Sequence, residues 1–195
     1  SMLSRLIPAN ITIDFVPGHE LGTVHADTVQ MEQIVMNLCL NARDAMPDGG
    51  VLCVETENTF LNGSYCKSHI TASAGHYLLL SVTDNGVGMD RETLSHVFEP
   101  FYTTKRMGRG TGLGLSTVYG IVTQHKGMVN VYSEQGKGTT FKVYIPIVEA
   151  KACTVGTKIL GPICGGNECV LVADDDESVL WVLRHTLEDA GYKVI

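Results

Sequence analysis

Hydrophobic and polar positions change period several times along the chain. Ile11 to Val16 alternates apolar and polar residues and reads as a strand ended by the Pro17-Gly18 turn. From Asp27 to Met46 the period becomes helical, with Asp27 as N-cap and Pro47-Asp48-Gly49-Gly50 as the stop. Val51 to Phe60 and His76 to Thr83 read as strands, separated by a polar loop that contains Asn62-Gly63. Leu113 to His125 is a second helix, opened by a glycine cluster. Met128 to Ser133 and Thr139 to Ile147 are strands joined by Glu134-Gln135-Gly136-Lys137-Gly138, a hairpin signal. The order strand, helix, strand, strand, helix, strand, strand predicts an α/β two-layer sandwich, a mixed sheet with helices on one face.

After Pro146 the pattern breaks. Residues 149–168 hold four Gly, two Cys and one Pro without a clear period and read as a linker. Val170 to Ala173 is then a continuous apolar run, Asp174 to Glu177 is acidic, Ser178 to Ala190 is helical in period, and Tyr192 to Ile195 begins another strand. The expected organisation is a domain over 1–148, a linker over 149–168 and a fragment over 169–195.

Composition narrows the class. At about 150 residues per domain, 195 residues make about 1.3 domains. A chain that is 44% hydrophobic and 18% charged has enough apolar material for a core, which excludes a disordered chain. No apolar run approaches the roughly 18 residues of a membrane span. The net charge of −7, from 14 basic and 21 acidic residues, speaks against a surface that neutralises nucleic-acid phosphates. Six cysteines form no C-x-x-C pair and read as reduced thiols of a cytoplasmic protein. Glycine is the unusual component, 21 residues gathered mainly at 86 and 88, at 108 to 114, and at 136 and 138, which suggests backbone brought close to a ligand.

Three segments carry candidate chemistry. On a helical wheel Gln33, Asn37, Asn41 and Asp44 fall within about 80° of one another, apart from the apolar stripe of Ile34, Leu38, Ala42 and Ala45. Stacked amides with one carboxylate suit a wall offering oxygen ligands to a hard cation such as Mg²⁺, although a solvated face is the plainer alternative. Asp84, at the end of a strand, is followed by Gly86 and Gly88, which either lets backbone approach a ligand or forms an ordinary Asx-type turn. Gly108 to Ser116 places glycines at a helix start, where backbone N–H groups face an anion, with Lys105, Arg106 and Arg109 close in sequence. Its spacing is neither that of a P-loop nor that of a dinucleotide-binding loop.

Taken in order, these segments resemble the ATP-binding catalytic domain of sensor histidine kinases, in the superfamily that includes DNA gyrase B, the Hsp90 chaperones and MutL. Asn37-Leu38-Cys39-Leu40-Asn41-Ala42 resembles the N box, Asp84-Asn85-Gly86-Val87-Gly88 the first glycine box, Phe98-Glu99-Pro100-Phe101 the F box, and Gly110-Thr111-Gly112-Leu113-Gly114-Leu115 the second glycine box. The resemblance covers roughly residues 10–147 and implies the Bergerat-type ATP-binding fold. It also implies roles. Asp84 accepts from the adenine amino group and Thr139 shares a water with it; Asn41 holds Mg²⁺, with Asn37 beside the phosphates and Asp44 among the nucleotide-binding residues. Lys105 and the backbone from Gly110 to Leu115 meet the phosphates. ATP and Mg²⁺ are the implied cofactors, and phosphoryl transfer then rests on positioning and charge neutralisation.

One departure separates branches of the superfamily. Gyrase, Hsp90 and MutL types carry a general-base carboxylate at the position of Asn37, so hydrolysis should be slow here and transfer to a side chain preferred. Glu32 lies about 140° away on the wheel and substitutes poorly. The implied partner is a histidine on an acceptor helix pair expected to precede Ser1, because His19, in a Pro-Gly turn, lacks the acceptor context. Val170 to Glu177 and the following helix resemble the start of a response-regulator receiver, with Asp174 and Asp175 at its incomplete Mg²⁺ site. The resulting expectation is the catalytic part of a hybrid sensor kinase that does not phosphorylate itself. The competing readings are a conformational module of the chaperone or mismatch-repair kind, and a nucleotide-binding scaffold without kinase activity.

Overall fold

The computed structural model describes residues 7–63, 73–105, 110–148, 166–172 and 177–195, without side chains for 177–182. The chain divides into two compact units, Ser1–Glu149 and Ala150–Ile195. In the first, the elements run β1 (Ile11–Val16), α1 (Thr28–Ala45), β2 (Gly50–Leu61), β3 (Gly75–Asp84), α2 (Arg91–His96), α3 (Gly114–Gln124), β4 (Met128–Glu134) and β5 (Gly138–Pro146). The sheet order is β1-β2-β3-β5-β4. β1 pairs parallel with β2, across the α1 crossover, and the other pairings are antiparallel. The sheet is therefore mixed, as the element order requires. The second unit comprises β6 (Cys169–Val170), α4 (Glu177–Asp189) and β7 (Lys193–Val194), with β6 parallel to β7.

Local chemistry sets the ends of α1. The Asp27 backbone is extended and its side chain accepts from the Gln30 N–H at 3.0 Å, satisfying one of the donors a helix start leaves over. Met46 closes the other end by donating its N–H to the Arg43 carbonyl, and Pro47 follows. Helix α2 has no counterpart in the sequence reading. At six residues it is too short to show a period, and it is fixed instead by Asp90, whose side chain accepts from Thr93 N–H at 2.7 Å.

The helices pack on one face of the sheet. Ile34, Leu38, Cys39 and Ala42 of α1 and Val118, Ile121 and Val122 of α3 meet Leu52, Val54, Val82, Phe141, Val143 and Ile145 from the strands. Cross-strand register puts these strand residues on a common side: Val54 pairs with Val82 and Val82 with Phe141. On the opposite side Leu61, Tyr77, Leu79, Met128 and Tyr144 form a smaller cluster. Cys39 is wholly buried in the main core, and burial pushes its thiol up to about 11.

Among the described residues no helix is long and apolar enough to cross a membrane. Leu38 is fully buried at the centre of the helix–sheet contact. Replacing it with Ala is expected to remove about 2–5 kcal/mol of unfolding free energy. Val29→Ala, on the same helix but 71% exposed, should change stability by no more than about 0.5 kcal/mol. Urea unfolding of both variants measures the contrast.

Candidate functional site

The row of the sheet next to the apolar rows is where the polarity changes. Leu52 pairs with Asp84, Asp84 with Thr139, and Thr139 with Ser133, so one line across four strands carries Leu, Asp, Thr and Ser on the helix side. Asp84 and Thr139 are both buried, at 5% and 6% exposure. They face a cavity of about 610 Å³ whose walls come from α1, the segment after β3, α2, residues 102–105, the start of α3, and β5. A carboxylate with an adjacent hydroxyl, set among Val87, Met89, Val97 and Phe141, is a polar anchor in a mostly apolar recess.

Backbone contact without side chains holds that anchor. The Asp84 carboxylate accepts from the Gly86 N–H at 2.9 Å. Gly88 has φ +64, and a Cβ there would run into the Glu134 carbonyl. Gly138 has φ +108, and a Cβ there would run into the carbonyl of Asp84 itself. Glycine at these two positions lets the loop after β3 and the β4–β5 hairpin press backbone against backbone. Hydrogen bonds stitch the contact: Val87 N–H donates to the Ala45 carbonyl at 2.9 Å, and Gly136 N–H to the Val87 carbonyl at 2.7 Å.

The other part of the cavity lies along α1 and is polar. Asn37, Asn41 and Asp44 line it, with Thr103, Thr104 and Lys105 and the backbone of Gly110, Thr111, Gly112, Gly114 and Leu115. Lys105 Nζ donates to Asp44 Oδ2 at 2.6 Å and to Asn41 Oδ1 at 3.4 Å. Arg43 donates to the other Asp44 oxygen from Nε and Nη2, at 2.8 and 2.7 Å. Burial pushes the Asp44 carboxyl up, but the hydrogen bonds and charges of Lys105 and Arg43 outweigh it and hold the group below its ordinary 3.8. Helix α3 starts at Gly114 with Leu113 as N-cap, and no cap side chain competes for its first N–H groups. Phe101, at φ 67 and 74% exposed, donates its N–H to the Gly112 carbonyl at 3.0 Å, fixing the F-box corner to the second glycine segment.

Most of the candidate residues therefore meet in one place: Asn37, Asn41, Asp44, Asp84, Gly88, Lys105, Gly110, Thr111, Gly112, Gly114, Leu115 and Thr139 all line the cavity. Gly86 and Leu113 are not among the lining residues. Gly86 donates to Asp84 and leaves room for the Ala45 carbonyl, and the Leu113 carbonyl accepts from Thr117 N–H at 2.9 Å. Gln33 is exposed and does not join the amide wall. Arg106, Arg109, Asp174 and Asp175 lie outside the described residues. Ser133 was not singled out from the sequence, although counting by two from Val129 and Val131 puts it on the helix face.

This arrangement matches a known family. Residues 26–149 match the histidine kinase-, DNA gyrase B- and HSP90-like ATPases, and the chain belongs to that family. It is 37% identical, over 99% of its own length, to the sensor kinase CckA of Brucella abortus (strain 2308), covering 21% of that protein. Over 66% of its length it is 38% identical to sporulation kinase E of Bacillus subtilis (strain 168), covering 15% of that protein. The chain thus spans about a fifth or less of these curated relatives. Its fold superposes on the nucleotide-free catalytic domain of the histidine kinase ThkA with a TM-score of 0.57 at 26% identity, over 75% of this chain and 83% of that one. Residues 26–149 are an ATPase-type nucleotide-binding domain of the sensor-kinase kind.

Burial pushes the Asp84 carboxyl above its ordinary 3.8, against backbone hydrogen bonds from Gly86 and Thr139 that pull it down. With the folded value raised, the group's contribution to stability is complete below the unfolded value and is lost as pH rises through the folded one. Asp84→Asn keeps an acceptor for Gly86 without the charge. Without nucleotide it is expected to melt above the native chain at neutral pH, the gap closing on acidification below the ordinary carboxylate value. Thermal unfolding across that pH range checks this, and a lower melting point for the variant at neutral pH would contradict it.

Proposed function

We propose that this chain is the ATP-binding catalytic domain of a hybrid sensor histidine kinase, and that it transfers the γ-phosphate of ATP to a histidine on a separate acceptor helix pair. The observation that carries the reading is the buried Asp84–Thr139 pair in an apolar recess, continuous with a second region of amides, a lysine and exposed backbone N–H groups. Asp84 takes the amino group of adenine. Asn37 and Asn41 lie along α1 toward the phosphates, with Gly110 to Leu115 and Lys105 around them.

The donor set suits Mg²⁺: amide oxygens and a carboxylate, hard ligands, with Lys105 Nζ already resting against Asn41 Oδ1 as a cation would. Bound through Asn41 and the nucleotide, the ion would neutralise charge on the phosphate oxygens. The chain's own residues position the nucleotide and exclude water. Among the described residues the cavity's carboxylates are Asp44 and Asp84. Asp44 is held by Arg43 and Lys105, and Asp84 sits in the base recess, so neither stands by Asn37 to activate water. That favours transfer to a side chain over hydrolysis. ATP as donor places the domain in the cytoplasm.

The second unit supports a downstream receiver. β6, α4 and β7 form a strand–helix–strand unit with its two strands parallel, as a receiver would begin, and the match to the Brucella sensor kinase runs over 99% of the chain, so it includes this unit. Asp174 and Asp175 would be carboxylates of its cation site.

ATP affinity, measured by calorimetry with and without Mg²⁺, is expected to fall at least about tenfold in Asp84→Asn, the scale of one lost charge-assisted hydrogen bond in a buried site. Asn41→Ala should remove most of the Mg²⁺ dependence. Mixing the chain with a separately made acceptor-helix domain and ATP should give acid-labile phosphate on that domain. Unchanged ATP affinity in Asp84→Asn overturns the site, and release of free phosphate faster than transfer overturns the kinase reading.

A further inference from the structure

Ser133 lies at the end of the polar row, next to Thr139 and outside the cavity's lining. Its hydroxyl makes three short contacts. It accepts from the Met89 N–H at 2.8 Å, donates to the Gly138 carbonyl at 3.0 Å, and lies 2.9 Å from Thr139 Oγ1. A serine hydroxyl has one proton and two lone pairs. With the proton on the Gly138 carbonyl and one lone pair taken by Met89, the remaining lone pair faces Thr139. Thr139 must then be the donor in that contact. Its only proton points away from the cavity toward Ser133, and its lone pairs are left to face the ligand.

We propose that Ser133 is a positioning residue for base recognition, which fixes the Thr139 hydroxyl as an acceptor beside the Asp84 carboxylate. The inference rests on the nucleotide reading above. Asp84, when ionised, can only accept hydrogen bonds, so with Thr139 held in this orientation both polar groups at the base end accept. Such an edge takes an exocyclic amino group, as in adenine, directly or through water. It opposes a carbonyl oxygen at the same place, as in hypoxanthine or guanine, because no proton is left to meet it.

The fixed partners of Ser133 give the orientation its rigidity. Met89 and Gly138 offer backbone groups from the two segments that Gly88 and Gly138 bring into contact, so the hydroxyl is held by main chain and not by mobile side chains. Removing it frees the Thr139 proton to turn toward the cavity. Thr139 then meets either an amino or a carbonyl group, and selection between the two weakens.

The experiment compares ATP with inosine triphosphate, which differs in carrying a carbonyl in place of the amino group. Affinities of both are measured by calorimetry for the native chain, Ser133→Ala, Ser133→Thr, Thr139→Val and the Ser133→Ala/Thr139→Val double variant. The native chain should prefer ATP. In Ser133→Ala the ratio of the two affinities should fall about tenfold, the scale of one lost hydrogen bond, while Ser133→Thr, which keeps the hydroxyl, should retain the native ratio. Once Thr139 is valine, Ser133→Ala should change the ratio no further. A merely structural role for Ser133 would weaken both nucleotides alike, so a native ratio in Ser133→Ala, or an undiminished effect of Ser133→Ala on the ratio in the Thr139→Val background, overturns the proposal. A native chain that binds neither triphosphate overturns the nucleotide reading, and this inference with it.

Discussion

A carboxylate buried at the end of an apolar row is unfavourable unless something answers it, and the surroundings of Asp84 do so only in part. The Gly86 and Thr139 backbone N–H groups supply hydrogen bonds, but no cation stands beside it among the described residues. The group is left with unsatisfied capacity that faces the cavity. The remaining structure serves to keep it there. The flanking loop and the hairpin meet backbone to backbone, apolar rows pack behind it, and α1 closes the side where Ala45 accepts from Val87. Under the proposed nucleotide reading, the cost of burying this carboxylate is what a bound base would relieve.

Charge is handled differently at the other end of the cavity. Asp44 is paired with both Arg43 and Lys105, which leaves the group net positive, and Asn41 shares the same lysine. Helix α1 borders both regimes. Ala45 touches the glycine loop near the Asp84 recess, while Asn37, eight residues earlier and roughly 12 Å along the axis, faces the start of α3. A single rigid helix, fixed to the sheet by Ile34 and Leu38, therefore sets the distance between the recess and the polar region. Packing in the core and spacing in the site are the same geometrical fact.

Residues whose identity was fixed by local geometry were the ones legible in advance. Asp27 before a helical period, alternation in β1, and glycines flanking the hairpin placed the elements to within a residue or two, because caps and turns act over a few residues. Glycines and amides marked three of the cavity's segments as candidates, but the roles of their residues, and Thr139 altogether, rested on the family resemblance. Three features stayed hidden for physical reasons. Helix α2 is too short to show a period. Gln33 shares the wheel angle of the amides but lies one turn before Asn37, where the cavity has ended, and a wheel has no axial coordinate. Ser133 matters through its cross-strand partner, and which strand lies beside which is a tertiary outcome; the alternation of Val129, Val131 and Ser133 showed only its side of the sheet.

Cys39 adds a chemical consequence to this packing. It sits in α1 between Asn37 and Asn41, and with its thiol pushed up to about 11 only about one molecule in ten thousand would present a thiolate at neutral pH. Oxidants and alkylating reagents act on thiolates, so the side chain is chemically silent while α1 stays on the sheet. An opening that lifted α1 from the sheet would expose this thiol and move Asn37, Asn41 and Asp44 with it, since all four lie on the one helix. The modification rate of this one sulfur would then report how often α1 lifts from the sheet.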